Sequence, residues 1–393
     1  MYNSTTLLAN INSMLPLEEL TRSTKELNTD RYTKYFTTKS LFLVLLTAQI
    51  KGWSSLRDIE TGFSQYENFL YHLGLKAIPY KSTIADANAR IDSEVFAELF
   101  RSLVQRVLEQ HKAVGNTPKG LKRIVRAIDS TTIELALSLF DWAKFRTTKG
   151  AIKLHTTFNI TSQIPEVVYI TEGNINDTKN PIFNSDFDFS DSITIFDRGY
   201  HDFAIYNMIN QQHGVFVTRL KKGIKYEVIG QQKSFCSDVI RDLKIRLTSD
   251  NTYPKYNDDL RLIEYVADDG NYYRFLTNNF KYSALTITNL YKSRWQIELF
   301  FKWIKQHLKI KTFFGTSRNA VMNQIWVALI YYTLIKYVMY QCNYKGTALE
   351  LSRIFRERLF SRGTIIDYLK AQFISEIPQI SNPLYTNNLF DTS

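Results

Sequence analysis

One stretch constrains this chain more than any other: Tyr291-Lys-Ser-Arg-Trp-Gln-Ile-Glu-Leu-Phe-Phe-Lys-Trp-Ile-Lys305. It has neither Gly nor Pro, and its apolar residues return every three or four positions, so the spacing predicts a helix. At about 100° per residue, Ile297, Phe300, Phe301, Ile304 and Leu308 form one stripe, a face that must pack. Tyr291, Arg294, Glu298, Lys302, Lys305 and Lys309 fall on nearly the opposite side. From Lys281 to Lys311 there are seven Lys/Arg and one acid, and that acid is Glu298. Read as plain helix surface, Glu298 pairs with Arg294 and Lys302 at i−4 and i+4, worth about 0.2–0.5 kcal/mol a pair.

The offsets Tyr291-x2-Arg294-x3-Glu298-x6-Lys305 resemble the C-terminal signature of DDE transposases of the insertion-sequence-four family. The resemblance implies two further aspartates upstream, each at the end of a strand. Arg123-Ile-Val-Arg-Ala-Ile-Asp129 is a β-branched run ending in an acid, followed by Ser-Thr-Thr. Ser192-Ile-Thr-Ile-Phe-Asp197 is another, closed by Arg198-Gly199-Tyr200. Taken singly, each aspartate is equally a turn or cap residue. Together with Glu298 they have the order, type and strand or helix setting of the family's three acids. Ala151–Thr161, Pro165–Thr171 and Val215–Arg219 add strands, and Asp202–Gln212, capped by Asp202, adds a helix. Strands in a meander and then alternating with helices predict an α/β domain with a mixed sheet, where ligands gather at strand C-terminal ends.

Net charge of +11 in 393 residues favours a polyanionic partner. Hydrophobic content of 44% and charged content of 22% are those of a globular chain. The longest apolar run, Ile325–Ile335, is too short for a span of about 20 residues and predicts a buried helix. Met1–Pro16 lacks the apolar centre of a secretory signal. Cys236 and Cys342 stand alone, which indicates neither a disulfide framework nor a zinc site. A reduced cytoplasm fits, and the resemblance implies a bacterial, nucleoid-associated setting.

Residues 1–115 read as helical: Ser40–Ile50 ended by Gly52, a serine-capped helix from Ser54, Ser82–Arg90, and the amphipathic Ser93–His111. Short helices joined by tight turns suggest a helix-turn-helix with Lys81–Arg90 as its reading element, or a plain bundle. Residues 120–222 and 281–345 read as two parts of the α/β domain. Residues 223–280 form a β-rich insertion with a hairpin through Asp268-Asp269-Gly270. Residues 346–393 read as a loosely structured tail.

The resemblance implies a fold and a chemistry for these parts. It gives a mixed α/β (α+β) chain: an all-α DNA-binding domain, then a ribonuclease H-like catalytic core interrupted by the insertion. Asp129, Asp197 and Glu298 would be the catalytic residues and the ligands of two Mg²⁺ ions, with Mn²⁺ substituting. Carboxylate oxygens suit such hard ions, and a pair of them can activate an attacking oxygen and stabilise a leaving one. Arg294 and Lys305 would hold phosphates near the cleaved strand, with Lys302 and Lys309 further along. Tyr291, the strand pair Lys153 and His155, and Lys81 and Arg90 complete the expected DNA contacts. In Thr-Glu-Gly-Asn-Ile-Asn-Asp (171–177), Asn176 stands where the family often has His, so this segment is given no catalytic role.

The expected activity is a DDE transposase, active as a homodimer on double-stranded DNA, with no membrane partner. It would bind its element's terminal inverted repeats, cut there and transfer the 3′-hydroxyl to target DNA. A ribonuclease H-like nuclease without strand transfer and a DNA-binding regulator derived from a transposase are the alternatives.

Overall fold

The computed structural model describes residues 6–113, 121, 123–136, 138–140, 142–146, 149–233, 237–267, 270–307 and 313–375. Leu308, Lys309, Cys236 and the Asp268-Asp269 turn lie outside these residues.

The chain opens with six helices: α1 (Leu7–Met14), α2 (Leu17–Glu26), α3 (Thr38–Lys51), α4 (Leu56–Ser64), α5 (Lys81–Arg90) and α6 (Glu94–Ala113). Local chemistry sets their ends. Thr37 caps α3 by accepting from the Ser40 amide, and Gly52 closes it in the left-handed region at φ 73°. Ser55 and Asp58 form a reciprocal capping box on α4. Residues 65–80 and a 3₁₀ turn separate α4 from α5. Lys81–Arg90 is therefore a helix as expected, but it does not follow the short turn of a helix-turn-helix.

Strands β1 (Ile124–Leu135), β2 (Lys144–Arg146), β3 (Lys149–Asn159), β4 (Ile164–Glu172) and β5 (Ser192–Phe196) follow. Next come α7 (Phe203–Gln211), β6 (Val215–Arg219), β7 (Tyr226–Gln231), β8 (Val239–Leu247), β9 (Leu260–Val266) and β10 (Tyr272–Thr277). One sheet holds all ten, in the order β2-β3-β1-β5-β6-β10-β9-β8-β7, with β4 also paired to β3. β1, β5 and β6 run parallel, and β3 and β4 are antiparallel neighbours on one side. The arrangement β4-β3-β1-β5-β6 is the ribonuclease H-like core. The insertion does not stand apart: β10 pairs with β6, so the inserted strands extend the same sheet.

The last helices are α8 (Ala284–Ser293), α9 (Trp295–His307), α10 (Arg318–Gln341), α11 (Ala348–Arg358) and α12 (Ile365–Ser375). The single helix expected over 291–305 is bent at Arg294. There the bonds tighten to i→i−3, from the Arg294 amide to Tyr291 and from the Ile297 amide to Arg294. The Ser293 hydroxyl donates to the Leu290 carbonyl at 2.6 Å, the kind of back-bonding that bends helices. The expected stripe is buried at Ile297, Phe300, Phe301 and Ile304.

Residues 346–375 are not a loose tail. Leu351, Phe355 and Leu359 are buried, the Leu8 amide donates to the Leu359 carbonyl, and Phe360 stacks on Tyr66 with ring centres 4.3 Å apart. α10 packs against α3, α5 and α6. A single apolar core runs from the N-terminal helices through α9 and α10 to one face of β1, β3 and β4. A second core lies beneath α7, and a third beneath α8. No helix among the described residues is long and apolar enough to cross a membrane.

Candidate active site

Strand register builds the floor of the site. Parallel pairing of β1 with β5 ends at Ile128 opposite Phe196, so Asp129 and Asp197 occupy the next rung. β5 pairs with β6 through Ile195 opposite Val217, which sets Arg219 level with Asp197. Neighbouring strands lie about 4.8 Å apart. Side chains alternate faces, and Val125, Ile193, Ile195, Val215 and Val217 all pack beneath α8. Asp129, Asp197 and Arg219 continue these rows, so all three project toward the α8–α9 side. Asp129 lies within β1 rather than at its end, because β1 continues to Leu135 while its β5 partner stops.

α8 and α9 supply the roof. Tyr291 is buried, with its ring 4.9 Å from that of Phe275, and its hydroxyl donates to Asp197 Oδ1 at 3.5 Å. Arg294 lies between two carboxylates: Nη2 is 2.5 Å from Glu298 Oε1, and Nη1 is 3.5 Å from Asp129 Oδ2. The register thus sets Asp129 beside Asp197, and the guanidinium links Asp129 to Glu298. Lys302 is exposed one turn beyond Glu298, and Lys305 is half-buried on the same flank.

Burial raises the Asp129 carboxyl to about 6. The Ser130 amide and Arg294 oppose the rise, and the negative charges of Asp197 and Asp177 add to it. Desolvation favours the neutral acid, and like charges nearby act in the same direction.

Asp177 has no counterpart among the expected site residues. Its Oδ1 accepts from the Ser130 hydroxyl at 2.6 Å and from Lys153 Nζ at 2.7 Å, while the Ser130 amide donates to Asp129 Oδ1 at 2.8 Å. A chain of bonds therefore runs from Lys153 through Asp177 and Ser130 to Asp129. Gly199 allows the close approach this needs, since a Cβ there would lie 3.3 Å from Asp177 Oδ2. Buried Tyr200 anchors the same loop among Phe183 and Phe196. The signal in the sequence was Asp177 itself, at the end of the segment set aside because of Asn176. Arg219 was placed at the end of a strand and given no role at the site.

The other expected DNA contacts separate. His155 is buried, donates or accepts at Thr171 Oγ1 over 2.9 Å, and is held neutral with its pKa pushed down to about 4, first by burial and then by Lys153. It presents no face to a phosphate. Lys153 is bound to Asp177 and to the Ile175 carbonyl. Lys81 is exposed on α5, and Arg90 donates to the Thr29 carbonyl at 2.6 Å.

The profile of a family described as "Transposase DDE domain" matches residues 120–334, the span that contains all three acids. The chain belongs to the DDE transposase family. A second profile, a domain of unknown function (DUF4372), matches residues 3–76. A protein of Sinorhizobium fredii named as a transposase is 36% identical over 263 residues, covering 66% of this chain and 71% of the relative. An insertion-sequence transposase of Geobacillus stearothermophilus is 28% identical over 337 residues, 85% of each chain. One of Synechocystis is 22% identical over 290 residues, 74% of this chain and 80% of the relative. The protein is thus a transposase, an enzyme acting on DNA, with bacterial relatives.

DDE transposases generally use divalent metal ions. The carboxylate oxygens of Asp129 within β1, Asp197 just past β5 and Glu298 on α9 are of the type that suits a hard cation. Among the described residues no three such groups lie close enough to share an ion as they stand. The Arg294 guanidinium lies between Asp129 and Glu298, in contact with both.

Proposed function

We propose that this transposase binds the inverted ends of its own element, cuts the DNA there and joins the freed 3′-hydroxyl to target DNA. The observation that carries the reading is the rung that sets Asp129 beside Asp197 beneath Arg294 and Glu298. Asp129, Asp197 and Glu298 would hold two Mg²⁺ ions, or Mn²⁺ in their place. When bound, such ions lower the barrier to in-line displacement at phosphorus by neutralising charge on the attacking and leaving oxygens.

The chain's own groups do the rest. Arg294 exchanges its carboxylate partners for a substrate phosphate, a bidentate acceptor that suits a guanidinium. Lys305 holds a phosphate near the cleaved strand with it, Lys302 holds one further along, and Arg219 closes the opposite side of the row. Tyr291 keeps Asp197 oriented. The Lys153–Asp177–Ser130 chain does the same for Asp129. The N-terminal helices, with Lys81 and Arg90 on α5, hold the element's ends, and two copies act together in the synaptic complex on the bacterial nucleoid.

A joining assay tests this. Duplexes ending in the inverted repeats that flank the reading frame, incubated with Mg²⁺ and a plasmid target, should yield covalent joint molecules through their 3′ ends. Cleavage without joining would instead support a nuclease.

A further inference from the structure

The chain between α2 and α3 has a surface that the catalytic reading does not use. Residues 28–37 form a loop closed at its base: Thr29 Oγ1 and Thr38 Oγ1 are 2.8 Å apart, and Asp30 Oδ1 accepts from the Thr38 amide at 2.7 Å and hydroxyl at 2.8 Å. Arg90, at the end of α5, fastens the loop through the Thr29 carbonyl. The loop's one acid is therefore turned inward. Its outer side carries Arg31, Tyr32, Lys34 and Tyr35, all exposed, with Lys39 just beyond. None of these three cations is paired with a carboxylate among the described residues.

Tyr32 is the telling residue. Its backbone is left-handed, at φ 63°, a region that bulky side chains rarely enter. The residue is 86% exposed, and among the described residues its ring meets the Arg31 guanidinium, 5.0 Å from the ring centre. The fold thus holds an aromatic residue in a costly conformation and gains little burial from it. Strain of this kind collects where a ligand is to be met. Tyr35 is 76% exposed beside it.

We propose that the Arg31–Tyr35 loop is a contact for duplex DNA, placed beside α5 by the Arg90 link. Arg31 and Lys34 meet phosphates, and Tyr32 and Tyr35 lay their rings against the sugar edges and give their hydroxyls to the backbone. Such contacts fix position and register and carry no sequence preference of their own. Cations interleaved with exposed rings, and no outward acid, match a polyanion with flat apolar edges. The proposal rests on the reading that this transposase binds its element's ends.

The test uses the full-length protein and fluorescence anisotropy on two labelled duplexes, one carrying the inverted repeat and one of random sequence, between 50 and 200 mM salt, roughly the range over which phosphate contacts are felt. Arg31→Ala with Lys34→Ala should make the slope of log affinity against log salt shallower by about 2 on both duplexes, near 0.9 per lost phosphate contact. Lys345→Ala, the same kind of charge removed beyond the far end of α10, should leave the slope unchanged. Tyr32→Asn puts a residue that tolerates the left-handed region in place of one that does not. Its melting temperature should hold or rise while affinity falls about fivefold, the worth of about one hydrogen bond. Unchanged slopes and affinities in the loop variants would overturn the proposal. So would variants that keep DNA affinity but lose self-association, which would make the loop a subunit contact. A wild-type protein without affinity for either duplex is a different result, and it would overturn the end-binding reading itself.

Discussion

Asp129 is the residue on which the site's electrostatics turn. Burial first, then Asp197 and Asp177, lift its carboxyl to about 6, above the ordinary carboxylate value of 3.8. Because the folded state holds this proton more tightly than the unfolded chain, the group's contribution to stability is fullest below about pH 4. It falls as pH rises and is lost above about 6. An ion bound to Asp129 must displace that proton. Calorimetric Mn²⁺ titrations in buffers of different ionisation enthalpy should therefore show protons released near pH 5.5 and none near pH 8. Equal release at both would contradict the raised value. The three acids were legible in the sequence because each sits in a recognisable local frame: a β-branched run before Asp129 and before Asp197, an amphipathic helix around Glu298. Asp177 and Arg219 were not, because what makes them part of the site is the face their strand or turn presents after folding. His155 was placed on the right strand and assigned the wrong surroundings, since alternation alone does not say which face of an inner strand is covered.

Elements explain how the acids are aimed. The packed stripe of α9 was readable from spacing, and it fixes the rotation that brings Glu298 over the sheet. The break at Arg294 was not readable, because no Gly or Pro marks it; in the fold the Ser293 hydroxyl bonds back to the Leu290 carbonyl just before it. Tyr291, on α8 before that break, lays its ring on Phe275 and its hydroxyl on Asp197. Phe300 is the stripe's centre, with ring centres 5.2 Å from Phe158 and 4.8 Å from Tyr332. Phe300→Ala should cost about 3–5 kcal/mol in chemical denaturation and lower turnover more than DNA affinity, since it loosens the helix that aims Glu298. A loss under about 1 kcal/mol with full turnover would show that the stripe does not set the geometry. β7 and β8 escaped the sequence reading for physical reasons. β7 is an exposed edge strand with a register shift between Val228 and Gly230, and β8 is dense in charge. The charge is accommodated by a buried pair, Asp242 with Arg261 at 2.6 Å, whose guanidinium also binds the Asn279 and Tyr282 carbonyls just before α8. The insertion is thereby fastened to the roof of the site.

At the scale of the whole molecule, the N-terminal helices and the catalytic sheet are one packed body. Phe100 lies 5.5 Å from Trp326, and the Asn323 amide donates to Asn88 Oδ1 at 3.2 Å and to the Ile91 carbonyl at 3.2 Å. Composition changes along the chain marked where the α/β part begins, but could not show that α10 would be shared between the two parts. Nor could they show that 346–375 would fold back onto α1. A consequence is that the surfaces proposed for DNA on α5, on residues 28–37 and around Glu298 are held in fixed relation, so the way to separate binding from cutting is to change single side chains. That separation is the most direct test of the account. The full-length Glu298→Gln protein, compared with wild type on a duplex carrying the element's end with Mg²⁺ present, keeps the shape of the side chain and removes its charge. The account predicts end binding within a few-fold of wild type and no detectable strand cleavage. Cleavage at the wild-type rate would contradict it.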